Sequence, residues 1–284
     1  MASRGIPAAA AVVGLAALIA AGPGCAPLNY THPVEPYDVI CCVEPAAAPE
    51  TLKVVSFNLR FAVRVDEAIA LLRDTPALAG ADIVLLQEMD GRATKKVARA
   101  LDMNAIYYPA VRHPSSRRDF GNAILSRHRL LRHRKLLLPH PGRFGRTQRI
   151  AASAMIEIGG RTVAVTSTHL ATPVENGPQQ RREQIDAVAA MAERFRADLI
   201  LVGGDLNDPK LAGRMIARGF ACPTQGHGST SASGFALDQV FVRRPGLDPS
   251  GDARHPAGVV RIDRRTSDHD PVWVRVPLDP PAAR

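Results

Sequence analysis

Short polar clusters stand against apolar runs at six places in this 284-residue chain. They are Ser56-Phe57-Asn58, Gln87-Glu88, Thr168-His169-Leu170, Gly204-Asp205-Leu206-Asn207, Leu237-Asp238-Gln239-Val240 and Ser267-Asp268-His269-Asp270-Pro271. Polar residues at strand ends are how α/β folds assemble sites, because the loops there converge on one edge of the sheet. Asp238 lies inside an apolar run, where a carboxylate is costly unless paired, and a histidine is its natural partner. Taken singly, each cluster has an ordinary structural explanation. A lone Asn at a strand end caps a turn, a lone Glu is solvated, and Gly-Asp-x-Asn is an Asx turn before a helix. The weight lies in their occurring together.

The elements that must position them are legible as alternating strands and helices. Leu52–Phe57 reads as a strand and Asp66–Leu72 as a short amphipathic helix. Ile83–Gln87 is a continuous apolar run of the kind found in buried strands. Arg92–Leu101 is helix-like, and Asn122–Ser126 is a strand. Arg149–Ile158 and Thr162–Thr168 form a hairpin through Gly159-Gly160. Gln179–Phe195 carries a helical apolar stripe, and Leu199–Val202 is a strand ended by Gly203-Gly204. Leu237–Val242 and Val272–Val276 complete the set. Hairpins mixed with strand–helix alternation predict an α/β fold with mixed sheets.

In this order the segments SFNLR (56–60), LLQEMD (85–90), GNAILSR (121–127), STHL (167–170), GGDLND (203–208), LDQVFV (237–242) and SDHDPVWV (267–274) resemble the endonuclease/exonuclease/phosphatase superfamily. That superfamily includes deoxyribonuclease I, exonuclease III, bacterial sphingomyelinases and inositol-polyphosphate 5-phosphatases. The resemblance spans residues 51–277. It implies a four-layer α/β sandwich, two mixed β-sheets packed face to face with flanking helices. It also implies a monomeric, metal-dependent hydrolase of phosphoric esters.

Carried over position by position, the resemblance makes Glu88 the principal Mg²⁺ ligand, with Asn58 beside it and Asp268 on the metal side; Mn²⁺ is a possible substitute. Hard oxygen donors suit such an ion. His269 becomes the general base for the attacking water, oriented by Asp238. Asp205 and Asn207 position the nucleophile and stabilise the transition state, and His169 donates to a non-bridging phosphate oxygen. Asp270 is expected to brace its loop, as are Arg181 and Gln184 in their helix. Arg149 is open between reaching a phosphate and lying on a solvated face. Replacing His269 or Glu88 is expected to cost activity while leaving stability little changed.

The N-terminus reads as an address. A single Arg4, an apolar stretch from Ala8 to Ala21 and a Gly-Pro-Gly-Cys exit describe a signal peptide over 1–24. Cys25 resembles the lipidated Cys of bacterial lipoproteins, although Gly22 stands where Leu is usual. The chain is therefore expected to be exported, periplasmic or extracellular, and membrane-anchored if Cys25 is lipidated. Residues 25–50 read as a Pro-rich tether and 51–284 as the catalytic domain. Cys41 or Cys42 could pair with Cys222 in an oxidising compartment, or all three could remain thiols. With four Cys and no C-x-x-C, neither a disulfide scaffold nor a structural zinc site is expected.

The substrate is bounded by charge. There are 36 Lys+Arg against 27 Asp+Glu, a formal net charge of +9, which favours polyanionic partners. Between Arg112 and Arg149 basic residues are dense and Asp119 is the only acid, so this stretch could track a polynucleotide backbone or simply be a solvated face. The resemblance places a Tyr at the His169 position in abasic-site endonucleases, which with export argues against a repair enzyme. No aromatic hairpin of the bacterial sphingomyelinase kind is evident. A nuclease acting on nucleic acid is the first expectation. A phosphodiesterase or phosphatase acting on phospholipid head groups or small phosphoesters is the alternative. A catalytically dead binding module is a minor alternative, since every acid, base and metal position is filled.

Overall fold

Strand Thr51–Asn58 shows how the core is built. Leu52 and Val54 face one way and Val55 and Phe57 the other, yet all four are fully buried, so both faces of this strand are covered. The computed structural model describes residues 28–35, 37–40, 43–113, 116–143 and 146–279. Its strands are β1 (Leu28–Asn29), β2 (Asp38–Ile40), β3 (Thr51–Asn58), β4 (Ile83–Met89), β5 (Asn104–Arg112), β6 (Asp119–Ser126), β7 (Leu130–Leu137), β8 (Ile150–Ile158), β9 (Arg161–His169), β10 (Leu199–Asp205), β11 (Asp238–Arg243), β12 (Ala257–Val259) and β13 (Val272–Pro277). The helices are α1 (Val65–Asp74), α2 (Gly91–Leu101), α3 (Pro178–Glu193) and α4 (Ala212–Ile216).

The first sheet runs β1-β5-β6-β4-β3-β13-β12, with β2 also on β5; the second runs β11-β10-β9-β8-β7. Parallel pairs β3–β4 and β9–β10 stand among antiparallel neighbours, so both sheets are mixed. Leu52, Val54, Ile83 and Leu85 of the first sheet meet Val163, Val165, Leu201 and Val240 of the second in a core between the sheets. The outer face of the first sheet packs on α1 and α2 through Phe57, Leu86, Ile69 and Val97. The outer face of the second packs on α3 and α4 through Val202, Phe241, Val188 and Met215. This is the expected four-layer sandwich. Parallel strands β3–β4 and β9–β10 carry Asn58, Glu88, His169 and Asp205 at or near their C-terminal ends.

Three local readings differ from the sequence. Gly203 and Gly204 do not end β10 but lie within it. A Cβ on Gly203 would sit 2.7 Å from Leu85 of the facing sheet, and one on Gly204, at φ +152°, would strike the Thr168 carbonyl. The glycines thus let strands and sheets close together beneath the site. LLRHRKLL, read as a charge run, is the edge strand β7. Charged side chains suit an edge, where they discourage further pairing.

The stretch 28–40 also departs from a free tether. β1 and β2 pair with β5, and buried Lys135 donates to the Tyr30 carbonyl at 2.8 Å and the Glu35 carbonyl at 3.3 Å. Desolvation lowers the Lys135 pKa to about 8. The leader expected over 1–24 lies outside the described residues, as do Cys25, Cys41 and Cys42. Cys222 is a buried free thiol, pushed up to about 11 by burial. Among the described residues no helix is long and apolar enough to cross a membrane.

Candidate active site

Regular alternation along β4 would send Glu88 to the helix side with Val84 and Leu86. Instead the pairing of β4 with β6 shifts register between Leu86 and Met89, and Glu88 takes φ 59°. The bulge re-aims its carboxylate. Glu88 Oε1 accepts from Asn58 Nδ2 at 3.2 Å, and Oε2 accepts from the Phe61 N–H at 2.9 Å. The same Asn58 amide donates to Asp205 Oδ2 at 3.1 Å, tying β3 and β4 of one sheet to β10 of the other. Its amide oxygen accepts from the Arg60 N–H at 3.0 Å and keeps a second lone pair.

Across the site His269 Nδ1 lies 2.7 Å from Asp238 Oδ2, confirming the pairing the buried acid required. Thr230 Oγ donates to that carboxylate oxygen at 2.7 Å, and Asp238 is fully buried. The outer nitrogen of His269, Nε2, lies 3.6 Å from Asp205 Oδ2, and His169 Nε2 lies 3.4 Å from the same oxygen. Asp205, Asp238 and His269 offer ligand atoms within 4.8 Å of one another. Asn207, at φ 53°, turns the chain after β10; its side chain donates to the Leu170 carbonyl at 2.9 Å. Asp268 is half-exposed at the rim, 3.9 Å from Arg60.

The electrostatics follow from burying carboxylates side by side. Desolvation raises Glu88, with Asp268 adding to the rise and Arg149 opposing it. Asp205 is pushed up to about 7 by burial and by Asp238 and Glu88, against the pull of His269. Burial by itself would lower His269, but Asp238 and Asp205 outweigh it and bring it to about 10. His169 goes the other way, well below the usual range, through burial, Arg149 and His269. His269 is therefore an imidazolium and His169 a neutral imidazole in the metal-free protein near pH 7. A group of acids that burial leaves short of positive charge, built from hard oxygens, fits a divalent cation. The family resemblance gives that role to Glu88, Asn58 and Asp268, of which Glu88 and Asn58 are hydrogen-bonded to each other and Asp268 stands at the rim.

Some residues of the site carry little local signal. Arg149 is buried, with its guanidinium 3.1 Å from both ring nitrogens of His169 and 2.7 Å from Glu175 Oε2. Of its two open readings, the solvated face is excluded. Thr230 and Glu175 were not legible, because nothing in their neighbourhoods marks them. Asp270 braces its loop as expected, paired with Arg261 and Arg264 at 2.8 Å each. Arg181 pairs with Asp208, and Gln184 holds the Ala171 N–H, both as braces. The basic block does not form one track: Lys135 and Arg149 are buried, Arg118 pairs with Asp90, and Arg134 lies over Phe195. Arg60, Arg261 and Arg264 instead stand on the Asp268–Asp270 segment, Arg60 3.9 Å from Asp268 and the other two on Asp270.

The Arg149–Glu175 pair supplies a test. Burial would raise Glu175, but Arg149, the Thr172 N–H and Thr147 overcome it and hold the carboxyl down at about 2. Glu175→Gln is expected to cost about 3–5 kcal/mol at pH 7 by leaving Arg149 buried and unpaired. Because the folded pKa is depressed, this contribution is complete above the ordinary Glu range and is lost as pH falls through about 2. Urea unfolding of both proteins should show a gap that narrows below about pH 4.5. A pH-independent gap would dismiss the ion pair as its source.

A buried imidazole–carboxylate pair facing a cation-hungry acidic cluster, at one end of a four-layer sandwich, defines a metal-dependent phosphoesterase. The sequence profile of the Endonuclease/Exonuclease/phosphatase family matches residues 55–269, and the chain belongs to that family of phosphoester hydrolases. Solved structures agree on the fold. A humanized TDP2 from D. rerio superposes with a TM-score of 0.62 at 17% identity, covering 80% of this chain and 99% of its own. An endonuclease/exonuclease/phosphatase from Bacteroides vulgatus gives 0.63 at 15% identity, covering 81% and 99%. Sphingomyelinase C from Streptomyces griseocarneus gives 0.59 at 19% identity, covering 80% and 99%. No curated protein matches in sequence.

Proposed function

We propose that this hydrolase is a Mg²⁺-dependent nuclease, exported through its 1–24 leader and tethered through Cys25. The observation that carries the substrate is the basic rim. Arg60, Arg261 and Arg264 touch the segment Asp268–Asp270, and their side chains are 40–55% exposed. Such a rim attracts a polyanion and contacts phosphates on either side of the bond that is cut. Among similar folds, the TDP2 of D. rerio is known in complex with a single strand DNA product, which supports this reading.

In the proposed reaction His269 Nε2 takes the proton of the water that attacks phosphorus. Asp238 holds Nδ1–H, which sets the tautomer and stabilises the imidazolium that forms. His169, neutral and fixed by Arg149, donates to a non-bridging oxygen, and Arg149 adds positive charge beside it. Asp205 and Asn207 orient the water. A divalent cation, when bound, would neutralise charge on the phosphate and lower the proton affinity of His269.

The test incubates the chain with single-stranded oligonucleotide, supercoiled plasmid and mixed phospholipid vesicles, each with Mg²⁺ and with EDTA. Metal-dependent cleavage of the nucleic acids, restored by Mg²⁺ or Mn²⁺ after chelation, is the expected result. Intact nucleic acid with released head group would move the enzyme to the lipid phosphodiesterases and overturn the nuclease reading.

A further inference from the structure

A run of aromatic rings leads from solvent to the reacting groups. Phe61 is 39% exposed, one of ten large apolar side chains left in solvent among the described residues. Its ring meets His113 edge-on at 4.9 Å and Phe120 at 5.4 Å between centroids. Phe120 is buried, lies 5.7 Å from the His169 ring and carries the Arg149 guanidinium at 5.3 Å.

The placement of Phe61 is costly. Arg60, Phe61 and Ala62 take φ of 42°, 56° and 49°, three successive non-glycine residues in the left-handed region. Site groups hold them there: the Arg60 N–H on Asn58 Oδ1 at 3.0 Å and the Phe61 N–H on Glu88 Oε2 at 2.9 Å. A backbone strained and pinned to the Glu88 carboxylate keeps an apolar ring in water beside the site. Ordinary core packing does not ask for that.

We infer that Phe61 is a base-stacking residue: the nucleobase next to the scissile phosphate lies on its ring, which makes single-stranded nucleic acid the preferred substrate over duplex. The inference rests on the nuclease reading. A ring face takes any base, but only a base that is not already stacked in a helix. Shape decides between this occupant and the quaternary ammonium of a choline head group, which is held best within a cage of several aromatic faces. His113 and Phe120 pack directly against the Phe61 ring, at 4.9 and 5.4 Å between centroids, and form no such cage with it. A single partly exposed ring suits a flat, neutral base.

The experiment compares the wild-type chain with Phe61→Ala and Phe61→Trp. The probes are a single-stranded oligonucleotide, the same sequence as duplex, and a single strand with one abasic position beside a unique cleavable linkage. Binding is read separately in EDTA from the quenching of 2-aminopurine at that position. Wild type should cleave single strand at least about tenfold better than duplex. Phe61→Ala should raise KM for single strand about tenfold or more with a smaller change in kcat, and should remove the 2-aminopurine quenching. Phe61→Trp should restore both. On the abasic strand, wild type should fall to the level of Phe61→Ala. Equal losses on base-bearing and abasic strands, unchanged quenching, or no rescue by Trp would overturn the stacking role while leaving the nuclease reading standing. Vesicle hydrolysis with no cleavage of any nucleic acid would overturn both.

Discussion

His269→Ala is expected to lower turnover at least about a hundredfold, the usual scale for losing a positioned general base. Asp238→Asn should act in the same direction, because an amide cannot hold the imidazole tautomer as a carboxylate does. The structure adds a consequence that differs from the stability expectation drawn from sequence. Asp238 is fully buried, and its Oδ1 has no hydrogen-bond partner. Removing His269 leaves that carboxylate without its cation, at a cost of about 3–5 kcal/mol. The folded-state pKa of His269 is raised to about 10, so its stabilisation is complete below its unfolded value and is lost as pH rises through about 10. The gap between wild type and His269→Ala in EDTA should therefore shrink between pH 7 and 10. The double variant His269→Ala/Asp238→Asn should recover much of the lost stability without recovering activity. Near-wild-type turnover of His269→Ala would remove the base assignment. A stability gap that stays constant with pH would remove the charge argument.

Glu88→Gln should also lose at least about a hundredfold in turnover, yet become more stable in EDTA. The wild-type carboxyl is raised by burial, which means that ionising it costs the folded state free energy. Gln keeps the shape and carries no charge beside Asp205 and Asp268, but with one acceptor oxygen it can accept from Asn58 or from the Phe61 N–H and not from both, which offsets part of the gain. Each kcal/mol relieved should raise Tm by about 2–4 °C for a chain of this size. The sign with pH is the same as for His269, because both folded-state pKa values are raised and the wild type loses stability relative to the variant as pH rises. A raised carboxyl pKa makes folding less favourable as pH rises above the ordinary Glu range, so the advantage of Gln should widen toward neutrality. Added Mg²⁺ should reverse the order, because a cation that binds only the folded wild type stabilises it by mass action. Equal Mg²⁺-induced stabilisation of both proteins would place the cation away from Glu88.

These two variants show where the sequence was enough and where it was not. Asn58, Glu88, His169, Asp205, Asp238 and His269 were legible because each stands within or at the end of an apolar run, and strand ends gather at one edge of a sheet. That Asp238 needs a partner was legible for a stronger reason, since a carboxylate inside ALDQVFV has to find a cation or donor; that the partner is His269, 31 residues away, was implied by the family resemblance. Patterning of period two and period 3.6 likewise determined most strands and the main helices, while the sandwich they build was implied by the family resemblance.

The tertiary structure alone decided the rest, because those features depend on groups that meet across space without a local mark. The bulge that turns Glu88 into the site is a register shift against β6, invisible within LLQEMD. Arg149 became part of the site through Glu175 and His169, partners 26 and 20 residues away on other segments. Lys135, one more charge in a basic run, is buried by the carbonyls of residues about a hundred positions earlier. Composition counts charges but does not say which are neutralised. Only packing dispersed the block from Arg112 to Arg149 and set Arg60, Arg261 and Arg264 against Asp268 and Asp270.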